Sequence, residues 1–399
     1  MSAAQVLERC ARLGEISEEP GRLVRRYATP AMRAANDLVG GWMREAGLAV
    51  GEDAVGNLIG RREGEGRTLM FGSHLDTVID AGRYDGPLGV IAAIELVERL
   101  GDRALPFAIE VVGFADEEAV RYPTAFLGSS AMAGRFAPGW LGLTDSDGVP
   151  LGEALGAFGG DPAAIATAAR RPDDLLAYCE LHIEQGPVLE RKGVPVGVVT
   201  VISGQTQAEV CFHGEAGHAG TVPMNQRRDA LAAAAEWIMA GESVARRRQG
   251  LVATVGRISV APGARNVIPR EARLSLDVRH GSNAIRREAI ADLRAEAERI
   301  AAAREIGVSW EARGDTAAVP TSPDVRERLA DAVAAAGLPV VQLPSGAGHD
   351  GVAMSAIAPV GMLFVRCARG ISHHPDEAVA EADVAVALDV LERFVEDLA

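Results

Sequence analysis

The sequence predicts an α/β fold of two domains: a mixed sheet with helices on both faces, and a smaller α+β domain inserted into it. Three observations lead to this prediction. The chain has 399 residues, and a chain of this length usually divides into more than one domain, each with its own hydrophobic core. Short apolar runs alternate with helical segments in both outer parts of the chain. From about residue 207 to residue 319 the order of elements changes to βαββαβ.

The amino-terminal part alternates predicted helices and strands. Helical spacing of apolar residues covers 4–13, 30–46 and 88–100, and short strand-like runs cover 55–61, 68–73, 107–114 and 176–183. Residues 134–160 are rich in Gly, Pro and Asp and predict a surface excursion, followed by an Ala-rich helix at 163–169. This βαβ succession predicts a largely parallel or mixed sheet covered by helices.

The middle of the chain predicts a ferredoxin-like unit. Its predicted elements are strand 208–213, helix 228–247, strands 252–260 and 274–279, helix 284–303 and edge strand 307–312. The α/β pattern then resumes with helix 324–336, strands 340–343 and 360–365, and a closing helix at 384–398. We therefore expect a catalytic domain built from 1–206 and 320–399, with a lid and dimerisation domain at 207–319.

Composition excludes several classes of partner. The formal net charge is −15, which argues against nucleic acid because phosphate binding needs a basic face. No run of about 18 apolar residues predicts a membrane span. The four cysteines contain no Cys-x-x-Cys pair, so we expect buried, inert thiols in a reducing cytoplasm; they are Cys10, Cys179, Cys211 and Cys367. No secretory signal pattern is visible, which also favours the cytoplasm.

Imidazole and carboxylate groups cluster at the ends of several short apolar runs. The segments that contain them are GSHLDTV (72–78), Asp85-Gly86, Asp116-Glu117-Glu118, ELHIEQGP (180–187) and GISHHPDE (370–377). Ends of strands are where an α/β sheet presents its chemistry. Nitrogen and oxygen ligands without thiolate suit zinc, manganese, cobalt or nickel. The sequence therefore predicts a metal-dependent hydrolase.

The residues supply ligands for two divalent ions with one shared carboxylate. We assign one ion to His74, Asp85 and His182, and the other to Asp85, Glu118 and His373, so that Asp85 bridges them. Asp76 lies two residues after His74 and is expected to accept its second imidazole N–H. Glu117 is the predicted general base, which takes a proton from the attacking water and returns it to the leaving nitrogen.

Structural interpretations compete with several of these assignments. A lone histidine is more often structural than a ligand, and we interpret His213 and His280 in that way. Adjacent acids such as Glu117-Glu118, taken alone, are typical of a solvated turn. His349-Asp350 is interpreted as support for the pocket floor and not as a catalytic dyad.

These segments together resemble the dinuclear M20-type metallohydrolases, specifically their hydantoinase/carbamoylase branch. The similarity extends over about residues 28–398 and includes further segments in order: GRYDGPLGV, FADEE, GEAGHAGTVPM, PGARNVIP, LDVRH and SGAGHD. His182 is characteristic of this branch, since related peptidases usually have an acid there. Ala119 and Gly351 depart from the usual pattern without removing a ligand.

The resemblance also implies substrate-binding residues. It assigns substrate contact to Gln185, the substrate carboxylate to Asn266 and Arg279, and the developing oxyanion to His218, with Gly346, Ala347 and Gly348 lining the pocket. Taken without the resemblance, Arg279 also fits a surface ion pair and Asn266 a turn. The resemblance further implies a homodimer in which His218 reaches the partner's site.

The implied reaction is hydrolysis of a ureido (N-carbamoyl) group on a small carboxylate substrate. Overall resemblance slightly favours allantoate, and N-carbamoyl-L-amino acids and β-ureidopropionate are the alternatives. An M20 aminopeptidase or dipeptidase is disfavoured by His182 and Gln185. A non-enzymatic metal-binding protein is the least favoured, because every proposed ligand and Glu117 are present.

Overall fold

The structure, a computed structural model, describes residues 2–399. The chain forms two compact units: the residues up to Thr200 together with Thr321–Ala399 form the first, and Val201–Pro320 form the second. From the sequence, the inserted domain was expected at 207–319. Each unit has its own sheet and its own hydrophobic core.

Strands and helices alternate through much of the chain. The strands are β1 (Ala49–Glu52), β2 (Leu58–Arg62), β3 (Thr68–His74), β4 (Ala108–Phe114), β5 (Leu175–Ile183), β6 (Val196–Ile202), β7 (Gly204–His213), β8 (Val252–Thr254), β9 (Ile258–Ala261), β10 (Glu271–His280), β11 (Gly307–Thr316), β12 (Val319–Pro320), β13 (Gln342–Ser345) and β14 (Val360–Val365). The α-helices are α1 (Ala3–Gly14), α2 (Pro30–Glu45), α3 (Pro87–Leu100), α4 (Leu127–Met132), α5 (Leu151–Phe158), α6 (Val188–Lys192), α7 (Ala230–Arg246), α8 (Asn283–Ala303), α9 (Pro323–Ala335), α10 (Gly351–Met354) and α11 (Glu381–Leu398).

The larger sheet is mixed, which confirms the predicted fold class. Its strand order is β1-β2-β4-β3-β5-β14-β6-β12, and β13 also pairs with β6. The four central strands β4, β3, β5 and β14 are parallel, whereas β2 and β6 pair with them in antiparallel fashion. β3 and β4 are buried along their whole length, as is typical of parallel strands with both faces covered.

Helix α3 is the most deeply buried helix of the first unit. Apolar residues surround it on nearly all sides, and only Glu98 and Arg99 are not buried. It packs into a core made mainly of Leu, Val, Ile and Ala. The low aromatic content of the chain predicted such an aliphatic core.

The second unit has a five-stranded antiparallel sheet in the order β11-β7-β10-β8, with β9 also paired to β10. Residues Ala272, Leu274, Leu276 and Val278 of β10 alternate with less buried ones and belong to the core that includes helices α7 and α8. Trp237 of α7 donates a hydrogen bond of 2.8 Å to the carbonyl oxygen of Leu293 in α8. The opposite face carries mostly polar side chains, such as Gln207 and Glu209 of β7 and Arg273 and Asp277 of β10.

Two local predictions from the sequence were wrong. The strand expected at 252–260 is two strands, because residues 255–257 leave the ladder and β8 and β9 pair with different parts of β10. The helix expected at 163–169 is a 3-10 helix at Ile165–Ala168. The excursion at 134–160 contains α5, whose buried Leu151 and Leu155 give it a small core of its own. Strands β1 and β6 had not been predicted.

Candidate metal centre at the carboxyl ends of the parallel strands

Four parallel strands carry candidate ligands at one edge of the large sheet. β3 ends at His74, and His182 is the penultimate residue of β5. Glu118 lies in the loop after β4 and His373 in the segment after β14. The carboxyl ends of parallel strands meet at the same edge. The fold thus brings these distant segments together around Asp85, which lies just before α3.

Asp85 is at the centre of the cluster. Its Oδ1 is 3.1 Å from His182 Nε2 and 3.9 Å from His74 Nε2. Its Oδ2 is 3.0 Å from His373 Nε2, and that nitrogen is 3.6 Å from Glu118 Oε1. Asp85 therefore offers one oxygen to each of two ligand groups. Donor atoms at these separations fit around a cation whose bonds are about 2.0–2.2 Å long.

The imidazoles of His74 and His182 are held in one orientation. His74 Nδ1 lies 3.0 Å from the carbonyl oxygen of Asp76, and His182 Nδ1 lies 2.9 Å from that of Ile183. When each Nδ1–H donates to the backbone, the Nε2 lone pair is left for a ligand. The buried Nε2 of His182 faces Asp85 Oδ1 at 3.1 Å, without the geometry of a directed hydrogen bond. A buried nitrogen of this kind fits a cation.

The Asp76 carboxylate has a different role from the one predicted. It lies 3.6 Å from His74 Nδ1, while the Asp76 carbonyl oxygen takes the hydrogen bond. The carboxylate instead accepts the backbone N–H groups of Glu117 and Glu118, each at 3.1 Å. A two-residue spacing brings the carbonyl within reach of the ring and leaves the side chain free to hold the acidic loop. Asp76 therefore positions Glu117 and Glu118.

The acidic loop carries more negative charge than its surroundings neutralise. Burial raises the pKa of Glu117 well above its usual range, and the neighbouring Glu118 and Asp350 raise it further. The pKa of Glu118 is also well above its usual range, mainly because of burial and secondly because of the nearby Asp85. Buried carboxylates crowded in this way favour a cation that removes their repulsion. The donor set and its charge both fit divalent metal ions.

The imidazoles determine the protonation of Asp85. Burial opposes ionisation of this carboxyl, but His182 and His373 outweigh burial and hold its pKa well below the usual range. Burial likewise opposes the charged form of His182, but Asp85 and Glu180 raise its pKa to about 9. Binding of a cation at this point therefore displaces a proton from His182.

Glu377 and Ser372 support the centre, and the sequence analysis had not singled them out. Glu377 Oε1 accepts the backbone N–H groups of Tyr84 (2.8 Å) and Asp85 (3.1 Å). Ser372 Oγ lies 3.1 Å from Glu377 Oε2 and 3.0 Å from Asp85 Oδ2. Glu377 thus ties the loop of Asp85 to the segment of His373. The only signal in the sequence was an acid four residues after His373.

Gln185 lies at the metal cluster. Its Nε2 donates to Asp85 Oδ2 at 2.9 Å and is 3.3 Å from His373 Nε2. Its Oε1 is buried and has no hydrogen-bond partner among residues 2–399, so it can accept an N–H from a substrate. Both Gln185 (φ 56°) and His373 (φ 55°) have left-handed backbone conformations, a form of strain that collects at functional sites.

His349 and Asp350 contact different partners and do not form a dyad. The His349 ring centroid is 4.5 Å from that of His182, and its Nε2 is 2.7 Å from Ser345 Oγ. Asp350 Oδ1 accepts the Ser129 hydroxyl at 2.5 Å. His349 therefore supports His182. The loop of Gly346, Ala347 and Gly348 connects β13 to this histidine.

The remaining predicted substrate residues lie in the second unit. His218 and Asn266 belong to adjacent segments: His218 forms a β-bridge with Val267, and Ala219 N donates to the Asn266 carbonyl oxygen at 2.9 Å. His218 and Asn266 are exposed. Arg279 is on β10, where its Nε lies 2.8 Å from Asp277 Oδ1, the ion pair that was the competing interpretation. Within the second unit, the structure brings the first two together.

Comparison with known proteins identifies relatives over the whole chain. Residues 70–397 match the peptidase family M20/M25/M40. An N-carbamoyl-L-amino acid amidohydrolase from Geobacillus stearothermophilus is 43% identical over 398 residues, which cover 98% of this chain and 97% of the relative. An allantoate deiminase from Arabidopsis thaliana is 39% identical over 432 residues, which cover 98% of this chain and 82% of the relative.

A solved structure agrees with the fold. A hydantoinase/carbamoylase-family amidase from Burkholderia multivorans superposes with a TM-score of 0.93 at 33% identity, over 100% of this chain and 98% of the other. None of the helices within residues 2–399 is both long enough and apolar enough to cross a bilayer.

Proposed function

This chain belongs to the peptidase M20/M25/M40 family and is a hydrolase of C–N bonds, and we propose that it cleaves the ureido (N-carbamoyl) group of a small carboxylate substrate. The observation that carries the proposal is the arrangement of Asp85, with one oxygen beside His74 and His182 and the other beside His373. Glu117, which the proposal needs as a base, is in the same cluster as Glu118 and His74.

We propose two divalent cations per subunit as cofactors, Zn²⁺ or Mn²⁺, with Co²⁺ or Ni²⁺ also compatible with the ligands. His74 and His182 would hold one ion, Glu118 and His373 the other, and Asp85 both. The metal ions, when bound, supply Lewis acidity and make water a stronger nucleophile at neutral pH. The crowded carboxylates and the buried Nε2 of His182, which faces Asp85 Oδ1 at 3.1 Å, support this assignment.

Glu117 moves the proton in the proposed mechanism. Its carboxylate takes a proton from water as the oxygen attacks the ureido carbon, and then gives it to the leaving nitrogen. The ureido compound and one water yield an amine, carbon dioxide and ammonia. Hydrogen bonds from the backbone N–H groups of Glu117 and Glu118 to Asp76 hold the loop in place during this transfer.

The substrate contacts are part of the proposal. Gln185 Oε1 would accept a ureido N–H, and Gly346, Ala347 and Gly348 would line the pocket. The family resemblance assigns His218 to the oxyanion and Asn266 and Arg279 to the carboxylate. An arginine suits this last task because its guanidinium can bind a carboxylate through two hydrogen bonds.

The two named relatives suggest two substrates that share a ureido group and a carboxylate. Allantoate and N-carbamoyl-L-amino acids are therefore both candidates, and β-ureidopropionate is a third. The identities of 43% and 39% over 98% of the chain are too similar to separate them. Measuring turnover of each candidate is therefore needed to identify the substrate.

The test compares the purified enzyme with Glu117→Gln on allantoate, N-carbamoyl-L-amino acids, β-ureidopropionate and dipeptides. We expect ammonia release from at least one ureido substrate and no dipeptide cleavage. Glu117→Gln should lower kcat by about 10²–10⁴-fold, the usual contribution of a general base, while metal content by elemental analysis stays the same. Dipeptide cleavage alone would overturn the ureido assignment, and full turnover by Glu117→Gln would overturn the role of Glu117.

We also propose a cytoplasmic homodimer. All four cysteines are free thiols, as suits a reducing compartment, and the family resemblance supports the dimer. Light scattering on the purified protein should give twice the chain mass, and a monomer that is fully active would contradict the proposed exchange of His218 between subunits.

A further inference from the structure

The polar face of the sheet in the second unit carries a group of residues that the hydrolase chemistry does not use. Along β7, Ala208, Val210 and Phe212 belong to the core with helices α7 and α8. Side chains alternate along a strand, so Cys211 and His213 point to the opposite face. They lie two residues apart and therefore next to each other on that face.

The strand register places suitable neighbours around Cys211 and His213. Glu271 of β10 is directly opposite His213, and Ser309 of β11 is directly opposite Cys211. One donor atom from each of Cys211, His213 and Glu271 lies within 4.8 Å of the others. Cys211 Sγ and His213 Nδ1 are 3.8 Å apart. This is close to the separation in a tetrahedral zinc site, where the Zn–S bond is about 2.3 Å and the Zn–N bond about 2.0–2.1 Å.

Ser309 sets the tautomer that a metal needs. His213 Nε2 lies 2.8 Å from Ser309 Oγ. When Nε2–H donates to this hydroxyl, the Nδ1 lone pair points toward Cys211 Sγ. A second hydrogen bond of this kind commonly orients a metal-binding imidazole.

Charge and access are also compatible with a cation. Glu271 is half-buried and His213 exposed, so an ion and one water can reach the group from solvent. Arg273, directly opposite Cys211, is a competing cation: its Nη2 is 3.4 Å from Glu271 Oε1, but its Nη1 forms a closer pair with Glu209. Arg273 can retain its ion pair with Glu209 when the Glu271 carboxylate binds a metal ion instead.

We propose that Cys211, His213 and Glu271 bind one Zn²⁺ ion, with water as the fourth ligand. The Cys211 thiol releases its proton to solvent and its sulfur binds as thiolate, together with His213 Nδ1 and a Glu271 oxygen. Because burial raises the pKa of this thiol, zinc affinity falls as the pH is lowered. The site rests on second-unit residues alone and does not depend on the proposed hydrolase function.

Cobalt tests the site, because a thiolate bound to Co²⁺ gives a sulfur-to-metal charge-transfer band. Among residues 2–399, no candidate ligand group of the first unit contains a cysteine, so the band reports only the proposed site. Titration of the full-length enzyme with Co²⁺ should give this band with an amplitude that corresponds to one thiolate-bound ion per chain, in addition to any Co²⁺ held without a thiolate by the first unit, and Zn²⁺ should abolish it. Cys211→Ser should remove it, whereas Cys10→Ala should keep it.

His213→Gln provides a second variant that preserves the fold, because His213 is exposed. We expect it to weaken Co²⁺ binding by at least about tenfold, the lower end of the usual loss for a disturbed metal site. Absence of the band at excess Co²⁺, or a band that survives Cys211→Ser, would overturn the proposal. Unchanged affinity in His213→Gln would do the same.

Discussion

The two groups of candidate ligands in this protein are built in opposite ways. In the first unit, Asp85 is surrounded by side chains from four parallel strands and their loops, and backbone carbonyl groups fix the imidazoles. In the second unit, Cys211, His213 and Glu271 come from two paired strands, and the ladder register alone places them together. In the first group His74, Asp85 and His182 are buried and His373 is exposed, whereas in the second group Cys211 is buried and His213 is exposed.

This difference indicates which features a catalytic centre requires beyond a set of ligands. Around Asp85, further residues such as Asp76, Glu377 and His349 hold the ligands in place. Around His213, Ser309 has that role. Catalysis needs supporting residues of this kind, whereas a site that only binds a metal can function with fewer of them. The expected effects of substitutions follow this contrast.

The largest effect is expected at Gly86, just before α3. A Cβ on Gly86 would lie 2.5 Å from the His74 ring, and its φ of 82° disfavours any side chain. Gly86→Ala should abolish measurable turnover and lower metal content. Gly101→Ala is the matched control, since Gly101 ends the same helix at φ 50° with no atom near its Cβ. It should cost only about 1–3 kcal/mol of stability from backbone strain, the usual cost of a sparsely populated conformation such as φ 50°, ψ −135°. Equal activity in both variants would show that His74 has room to move.

Metal removal should make stability depend on pH. Burial and neighbouring carboxylates raise the pKa of Glu117 and Glu118 well above their usual range, and burial with Asp85 raises that of Glu377 to about 7. These groups hold protons in the folded state that they lose in the unfolded one. Their stabilisation is complete below the ordinary glutamate pKa of 4.5 and is lost as the pH rises through the folded values.

The melting temperature of the protein, after a chelator has removed its metal, should therefore decrease as the pH is raised from about 5 to about 8. The increase in melting temperature that added metal causes should become larger as the pH rises over the same range. A metal-induced increase that shrinks with rising pH would contradict the proposed clustering of carboxylates.

A smaller effect is expected at Glu377. Glu377→Gln keeps the shape but removes the charge that holds the backbone of Tyr84 and Asp85. We expect metal affinity to fall by about 10–100-fold, the usual loss when a group behind a metal ligand is changed. Asp376→Asn is the neighbouring control, because Asp376 is exposed and its carboxylate forms only long ion pairs, 3.6 Å from Arg369 and 4.0 Å from His374. Competition with a chelator measures the metal affinity of both variants. Equal affinities would show that Glu377 does not support the metal centre.

Much of the fold was predictable because its signals are local. Apolar periodicity predicted most helices and central strands, and the family resemblance is confirmed by the relatives. β1 and β6 were missed because they lie outside the clear βαβ rhythm. The split of 252–260 depends on hydrogen bonds with β10, which no local pattern contains.

The candidate site was predictable where motifs carry it and not where side chains meet only in three dimensions. The ligands were predicted from their motifs, and the structure brings them together around Asp85. The contacts of Glu377 and the true partner of the Asp76 carboxylate depend on loops folding against one another. His213 was interpreted as structural because a lone histidine in the sequence is more often structural than a ligand, and its neighbour Glu271 comes from another strand.

The most direct test of the central claim is the number of metal ions held by Asp85→Asn. The measurement uses a Cys211→Ser background, so that only the centre of the first unit is counted, and Mn²⁺ as the probe. The background protein and the control Asp80→Asn, a change at an exposed aspartate, should each hold two ions per chain. Asp85→Asn should hold almost none, because its carboxylate serves both ligand groups. Retention of one or two ions by Asp85→Asn would contradict a shared aspartate.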